Sequence, residues 1–434
     1  MNTQKKNKVK TVFAVSLTTA LLVTSLVSIQ APGHANATGK PAKAGQPTKA
    51  SQQAKNVILF VGDGMGAAAR EAIRLATVGL KGNLAMDSMP YSGLIHTSST
   101  SVVTDSAASA TAYASGVKTY NGAIGMDANK KSVKTILEYA KDAGKSTGIV
   151  TTSQVTDATG AAFASHVEDR KEQSQIALQY LTKSKVDVLL GGGEDFWFPA
   201  GEAGAFKDEP AEDPSEKSKG TQGNLVSKAK QLGYSYVTNK ADMQKAKGGK
   251  VLGLFANEEM FQQNEEGKGD LYNPVVSLPE MTKKAIDTLS SNKKGFFLMV
   301  EEEGTDEMAH ENNAALTIKA GQELDKSVQV AKDFAKKNPD TLVLVLADHE
   351  TGGFSIEAVD DKDESGDGIS KEDGPFNIAN SKDQFFVDWT TSGHTAVDIP
   401  ITAMGRGAEL FTGIYENTEI FNKMAKAMGL NIKK

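Results

Sequence analysis

A serine beside an aspartate, at the head of a run almost stripped of bulk, is the first place where this chain could do chemistry. The run is VVTDSAASATAYASG, residues 102–116, with Asp105 next to Ser106. Two readings compete. One is a close-packed small-residue helix capped by Asp105 or Ser106. The other is a helix start that presents Ser106 as a nucleophile, with small side chains letting backbone N–H groups approach an anion. The stretch alone supports either.

The chain has six histidines and no cysteine. His310 lies four residues after Asp306, a spacing that puts both on one helical turn, where they can share an ion. His349 follows Asp348 at the end of an apolar run. From an extended strand end adjacent side chains diverge. These two therefore serve one ion and its neighbour's surroundings, or bend together in the loop. His394 opens HTAVDIPI and comes from elsewhere in the fold. Without thiolates, nitrogen and oxygen donors of this kind suit zinc, with manganese or cobalt as alternatives. Asp63, Asp157 and Glu301 stand at or beyond the ends of other apolar runs, with Thr159 two residues after Asp157. Two or three carboxylates with a hydroxyl suit a hard ion such as magnesium. Taken singly, each of these acids is as well explained by turn or cap chemistry. Arg170 ends DATGAAFASHVEDR and offers a planar two-pronged donor for phosphate. His96 and His166 read as structural, although His166, four residues before Arg170, is expected on the same helix face. Together the serine, the metal-type sets and the arginine describe phosphoryl transfer through a phosphoserine.

Elements must carry these residues to one place. Apolar runs at 56–61, 146–151, 186–190, 296–300 and 342–347 read as buried strands that break at glycines or acids. Amphipathic stretches such as 133–141 and 324–336 lie between them. Strands alternating with helices give an α/β fold with a mostly parallel sheet covered on both faces, a three-layer α/β/α sandwich. In such sheets ligands bind beyond the carboxyl ends of the strands, where these acids sit. Residues 201–250, rich early in Glu, Asp, Lys, Gly and Pro and resuming a weak structure at YSYVTNKADMQKA, read as an excursion from the main sheet. The segment from Asp361 to Glu372 spaces acids and a glycine somewhat like a calcium loop but departs from that pattern at Ser365 and Ile369. A solvated loop is the favoured reading.

The amino terminus differs from the rest. Lys5, Lys6, Lys8 and Lys10 precede an apolar run at 12–29 and then Ala35-Asn36-Ala37, the layout of a cleaved secretory signal over residues 1–37. Residues 38–54 read as a flexible tail, and 55–434 as a single domain. His34 belongs to the leader. Cleavage near Ala37 takes four lysines and no acid from the formal charge of −6, leaving −10. An exported or cell-surface protein without a stable transmembrane anchor is expected, and its acidity disfavours nucleic acid as a partner.

The motifs NVILFVGDGMG, VVTDSAASATA, TDAT…ASHVEDR, DVLLGGG, GFFLMVE…D…H, VLADHETGGF and HTAVDIPITAMG run in order from Asn56 to about Phe411. This chain resembles the bacterial alkaline phosphatases. The resemblance implies hydrolysis of phosphate monoesters with two zinc ions and one magnesium ion per subunit. Ser106 resembles the phosphorylated nucleophile and Arg170 the phosphate-binding arginine oriented by Asp105. Asp306, His310 and His394 resemble one zinc site. Asp63, Asp348 and His349 resemble the second, both neighbours serving the same zinc. Asp63 would bridge to magnesium held by Asp157, Thr159 and Glu301. The family is commonly dimeric, so a homodimer is one expected assembly and a monomer the other.

Four positions depart from the family pattern. Glu307 stands where Lys, His or Trp lies near the phosphate, and Gly160 replaces a common proline, from which only a looser backbone is expected. Glu302 and Glu303 have no family role. Rival readings are a phosphodiesterase or phosphonate hydrolase on the same scaffold, a phosphate- or metal-binding protein without turnover, and a serine hydrolase. The last lacks a G-x-S-x-G elbow around Ser106.

Overall fold

The computed structural model describes residues 53–206, 217–261, 272–359 and 372–432. The expected leader, most of the tail and nearly all of the calcium-like segment lie outside the described residues.

Strands β1 (Asn56–Gly62), β2 (Tyr91–His96), β3 (Ser146–Gln154), β4 (Val188–Gly192), β5 (Ser235–Val237), β6 (Val251–Leu254), β7 (Phe296–Glu302) and β8 (Thr341–Leu346) come first in the chain. Five short strands follow: β9 (Glu350–Thr351), β10 (Ser355–Ala358), β11 (Asp373–Asn377), β12 (Gln384–Asp388) and β13 (His394–Thr395). The chain then returns to the main sheet as β14 (Ile399–Gly405) and β15 (Gly413–Glu416). The main sheet has ten strands in the order β15-β2-β14-β8-β1-β7-β3-β4-β6-β5. Only β14 runs against its neighbours, β2 and β8.

Helices cover both faces, which is why β1, β7 and β8 are apolar at nearly every position and buried throughout. Adjacent residues of β7 show the two layers. Phe296 packs on Phe334 of the helix Ala314–Lys337, with centroids 5.8 Å apart. Phe297 stacks on Phe163 of the helix Ala158–Ala164, also at 5.8 Å. The α/β/α sandwich expected from the sequence is the observed fold.

Two local readings change. The second half of 201–250 is not an excursion: Ser235–Val237 pairs in parallel with β6 and forms the outer strand of the main sheet. Gly160 does not simply loosen the backbone. It lies inside the helix Ala158–Ala164, and a Cβ there would meet Ile149 Cγ2 at 2.9 Å and Met299 Cε at 3.4 Å. The glycine lets this helix lie close to the sheet.

The small-residue stretch forms the helix Ser106–Ser115, buried along its whole length. Its lack of bulk lets it pack onto the end of β8. Tyr113 Oη donates to the Ala347 carbonyl at 2.8 Å, and Ser109 Oγ to that of Asp348 at 2.8 Å.

Candidate active site

The stretch is a small-residue helix capped by Asp105, and the cap leaves Ser106 at the helix start. Asp105 is the N-cap, its Oδ1 accepting from Ala108 N at 2.9 Å, and Ser106 is the first helical residue. Ser106 is buried at 4 % exposure, with its Oγ 3.2 Å from His349 Nε2. The other Asp105 oxygen accepts from Gly122 N at 2.8 Å and lies 3.6 Å from Arg170 Nη1.

The chain ends four parallel strands beside this serine. Asp63 follows β1, Glu301 is the last residue but one of β7, Asp348 and His349 follow β8, and the loop after β3 leads to Asp157. Register sets Glu301 opposite both Val61 and Thr151. The chain turns between β8 and β9, so Asp348 and His349 converge instead of diverging. His349 Nε2 is 3.0 Å from Asp348 Oδ2 and 3.6 Å from Asp63 Oδ1, and all three residues are fully buried.

Asp306 and His310 share the helix Gly304–His310, and His394 reaches them from β13. His310 Nδ1 is 2.6 Å from the Ser392 carbonyl, and His394 Nδ1 is 3.0 Å from that of Thr104. A carbonyl only accepts, so each Nδ1 carries a proton, and once Nε2 gives up its own proton in favour of a bound ion each ring offers a lone pair there. Those two Nε2 atoms face each other at 3.0 Å, with Asp306 Oδ2 3.1 Å from His310 Nε2. Lone pairs converging from three side chains call for a cation between them, and this N/O donor set fits zinc.

Burial raises the Asp306 carboxyl, but His310 and the neighbouring imidazoles outweigh it and hold the group well below its usual range. The hydrogen bond to Asp306 pushes His310 up to about 9. At Asp63, burial and then the charges of Asp348 and Asp306 raise the carboxyl well above its usual value. Burial pushes Glu301 up to about 7. Among the described residues, Asp63 Oδ1 and Glu301 Oε1 are buried and have no hydrogen-bond partner. Orphaned carboxylate oxygens of this kind are costly unless a cation satisfies them, and an all-oxygen set fits a hard divalent ion.

Thr159 Oγ1 donates to Asp63 Oδ2 at 3.3 Å. Asp157 is placed differently. Both of its oxygens accept from Arg170 Nη2, at 3.1 and 3.0 Å. Burial alone would lower the Arg170 pKa, but Asp157 and Asp105 raise it further, so the guanidinium stays charged. His166 does not share a helix face with Arg170. The helix ends at Ala164, and His166 bonds Gly125 O at 2.8 Å and Glu138 Oε1 at 3.0 Å.

Several supporting residues escaped the sequence reading. Thr351 Oγ1 donates to Asp306 Oδ1, Gly64 N to Asp348 Oδ1 at 3.1 Å, and Thr151 Oγ1 to Glu301 Oε2 at 2.7 Å. Gly64 has φ +63°, and a Cβ there would meet Asp306 Oδ1 at 2.5 Å, so only glycine fits the crowded turn. Glu302 is satisfied structurally, accepting from Tyr272 Oη at 2.6 Å and Thr152 Oγ1 at 2.8 Å. Glu303 groups with Asp63 and Glu301.

Residues 54–371 and 361–430 match the alkaline phosphatase family. The chain belongs to the alkaline phosphatase family. It is 34% identical to alkaline phosphatase 3 of Bacillus subtilis (strain 168), over 88% of this chain and 90% of that protein. It is also 34% identical to the alkaline phosphatase of Escherichia coli (strain K12), over 93% and 92%. The alkaline phosphatase of the Antarctic bacterium TAB5 superimposes with a TM-score of 0.70 at 33% identity, over 88% of this chain and 100% of that one. A variant of that enzyme has been solved with Mg bound in its M3 site. This family member is a metal-dependent phosphomonoester hydrolase.

Proposed function

We propose that Ser106 is the nucleophile of a two-step hydrolysis and that Arg170 binds the phosphate. Asp306, His310 and His394 hold one zinc, and Asp63, Asp348 and His349 a second. Magnesium lies by Asp63, Thr159 and Glu301, bordered by Asp157. When bound, the ions supply Lewis-acid stabilisation of the attacking and leaving oxygens. Ser106 Oγ bonds to phosphorus as the ester P–O bond breaks, and the alcohol leaves with a proton. Water then attacks the phosphoserine, the P–Oγ bond breaks, and Ser106 is regenerated with release of inorganic phosphate. Throughout, the charged fork of Arg170, held by Asp105 and Asp157, and the N–H groups at the start of the Ser106–Ser115 helix hold the phosphoryl oxygens. Recognition of the phosphate rather than the alcohol supports a broad range of monoesters.

The observation carrying this reading is Ser106 Oγ buried at a helix start, 3.2 Å from His349 Nε2 among the metal-type donors. The test is hydrolysis of a chromogenic monoester at alkaline pH with Zn²⁺ and Mg²⁺, after chelation, and by Ser106→Ala, with matched diester and sulfate substrates. Monoester turnover lost in the chelated and Ser106→Ala samples supports the reading. Diester turnover exceeding monoester turnover contradicts it.

We read residues 1–37 as a leader that exports the enzyme. No helix among the described residues is long and apolar enough to cross a membrane. Amino-terminal sequencing of the exported protein tests cleavage near Ala37. Sedimentation distinguishes a homodimer from a monomer.

A further inference from the structure

Glu303 follows the end of β7 and is 3 % exposed. It donates its backbone N–H to Thr152 Oγ1 at 3.0 Å, which fixes the backbone at that point. Its side chain joins Asp63 and Glu301, with one carboxylate oxygen from each lying within 4.8 Å of the others. In Asp63 and Glu301 one oxygen has a protein donor: Thr159 at Asp63 Oδ2, at 3.3 Å, and Thr151 at Glu301 Oε2, at 2.7 Å. The opposite oxygens, Asp63 Oδ1 and Glu301 Oε1, and Glu303 Oε2 are buried without a hydrogen-bond partner among the described residues. Asp157, the carboxylate expected from sequence to complete this set, has both oxygens on Arg170.

We propose that Glu303 is a direct carboxylate donor of the hard-ion site, so that this chain holds its magnesium-type cation with three carboxylates, Asp63, Glu301 and Glu303, beside the Thr159 hydroxyl. Three grouped, buried carboxylates that each carry an unpartnered oxygen are strongly unfavourable for one another and strongly favourable for a divalent ion with oxygen ligands. The third carboxylate adds charge, and Mg²⁺ is therefore held more tightly than Asp63, Glu301 and Thr159 would hold it alone.

The inference rests on Asp63 and Glu301 being metal-holding residues. The test titrates Mg²⁺ into zinc-loaded, magnesium-free protein by calorimetry and counts retained metal by mass spectrometry. Glu303→Gln should weaken Mg²⁺ by about tenfold or more and lose it on desalting while zinc is retained. The metal-free variant should melt no lower than metal-free wild type, because a buried unpaired charge has been removed. Glu303→Asp, which keeps the charge but shortens the reach, should also weaken Mg²⁺, and it carries the test should Glu303→Gln not fold. Unchanged Mg²⁺ affinity in these variants overturns the inference. Glu301→Gln run alongside separates the two levels. If it loses Mg²⁺ while Glu303→Gln does not, only the role of Glu303 is wrong. If neither loses it, the underlying reading of the site is wrong too.

Discussion

Arg170 grips Asp157 through a single nitrogen, Nη2, which reaches both carboxylate oxygens at 3.1 and 3.0 Å. Nη1 lies 3.6 Å from Asp105, so two acids fix one guanidinium before any substrate arrives. A fork already held in place loses little freedom on binding phosphate. Arg170→Ala should therefore raise KM for a monoester by about 10- to 100-fold, the worth of one or two charge-assisted hydrogen bonds. Phosphate inhibition should weaken in parallel. Steady-state kinetics with inorganic phosphate as inhibitor checks both, and an unchanged KM would count against phosphate binding by Arg170.

Glu307 lies one residue after Asp306 and groups with Glu303 and Asp306. A negative charge this close to the phosphate site opposes the substrate. Glu307→Lys should tighten phosphate inhibition by about fivefold or more, since it replaces repulsion with attraction at a partly exposed position. The phosphate inhibition constant and the pH–rate profile are the measurements. If both stay as in wild type, Glu307 plays no part in phosphate affinity.

Gly160 gives a prediction opposite to helix propensity. Alanine is the better helix former by about 1 kcal/mol, yet a Cβ at 160 would meet Ile149 at 2.9 Å. Overpacking of this kind costs about 1–3 kcal/mol. Gly160→Ala should lower the melting temperature, and a rise would show that the helix can move away from β3.

His166 and Glu138 form a pair remote from the metal residues, with Nε2 3.0 Å from Oε1. Burial lowers the His166 pKa, but the Glu138 hydrogen bond outweighs it, so His166 lies above its usual 6.5. The stability it contributes is complete below pH 6.5 and is lost as pH rises through the raised folded value. Burial raises Glu138, but His166 and the Thr135 N–H outweigh it, so Glu138 lies below 4.5. Its contribution is present above 4.5 and is lost as pH falls through the lowered value. The two windows overlap between 4.5 and 6.5. Glu138→Gln keeps the acceptor that caps the helix Ile136–Asp142 but removes the charge. Its melting temperature should fall furthest below wild type near about pH 5.5 and approach it near about pH 9. A gap independent of pH would mean that the pair contributes no charge interaction.

The strands were legible because parallel strands covered on both faces are continuous apolar runs, as in β1 and β8, and their ends locate acids such as Asp63 and Asp348. The helix start at Ser106 was legible because an aspartate ahead of small helix formers reads as an N-cap, whereas the role of the serine needed the metal-type sets and the arginine beside it. What escaped depends on where side chains turn. For Asp348 and His349 the sequence leaves two arrangements open, and the turn between β8 and β9 selects the one in which they bend together. His166 was placed on a helix that ends two residues earlier, at Ala164. Asp157 pairs with Arg170 across thirteen residues, and no local period reports such a contact. Glu303 falls outside both periods: it is the αR N-cap of the helix Gly304–His310, so neither strand alternation nor helix spacing sets it beside Glu301.

The central claim is a covalent bond between phosphorus and Ser106 Oγ. The most direct test is to mix enzyme with a phosphate monoester, quench in acid, digest, and weigh the peptide containing residues 102–116. A phosphoryl group mapped to Ser106, absent in Ser106→Ala and in chelated enzyme, is the predicted result. Full turnover by Ser106→Ala, or a phosphoryl group on another residue, would contradict the account.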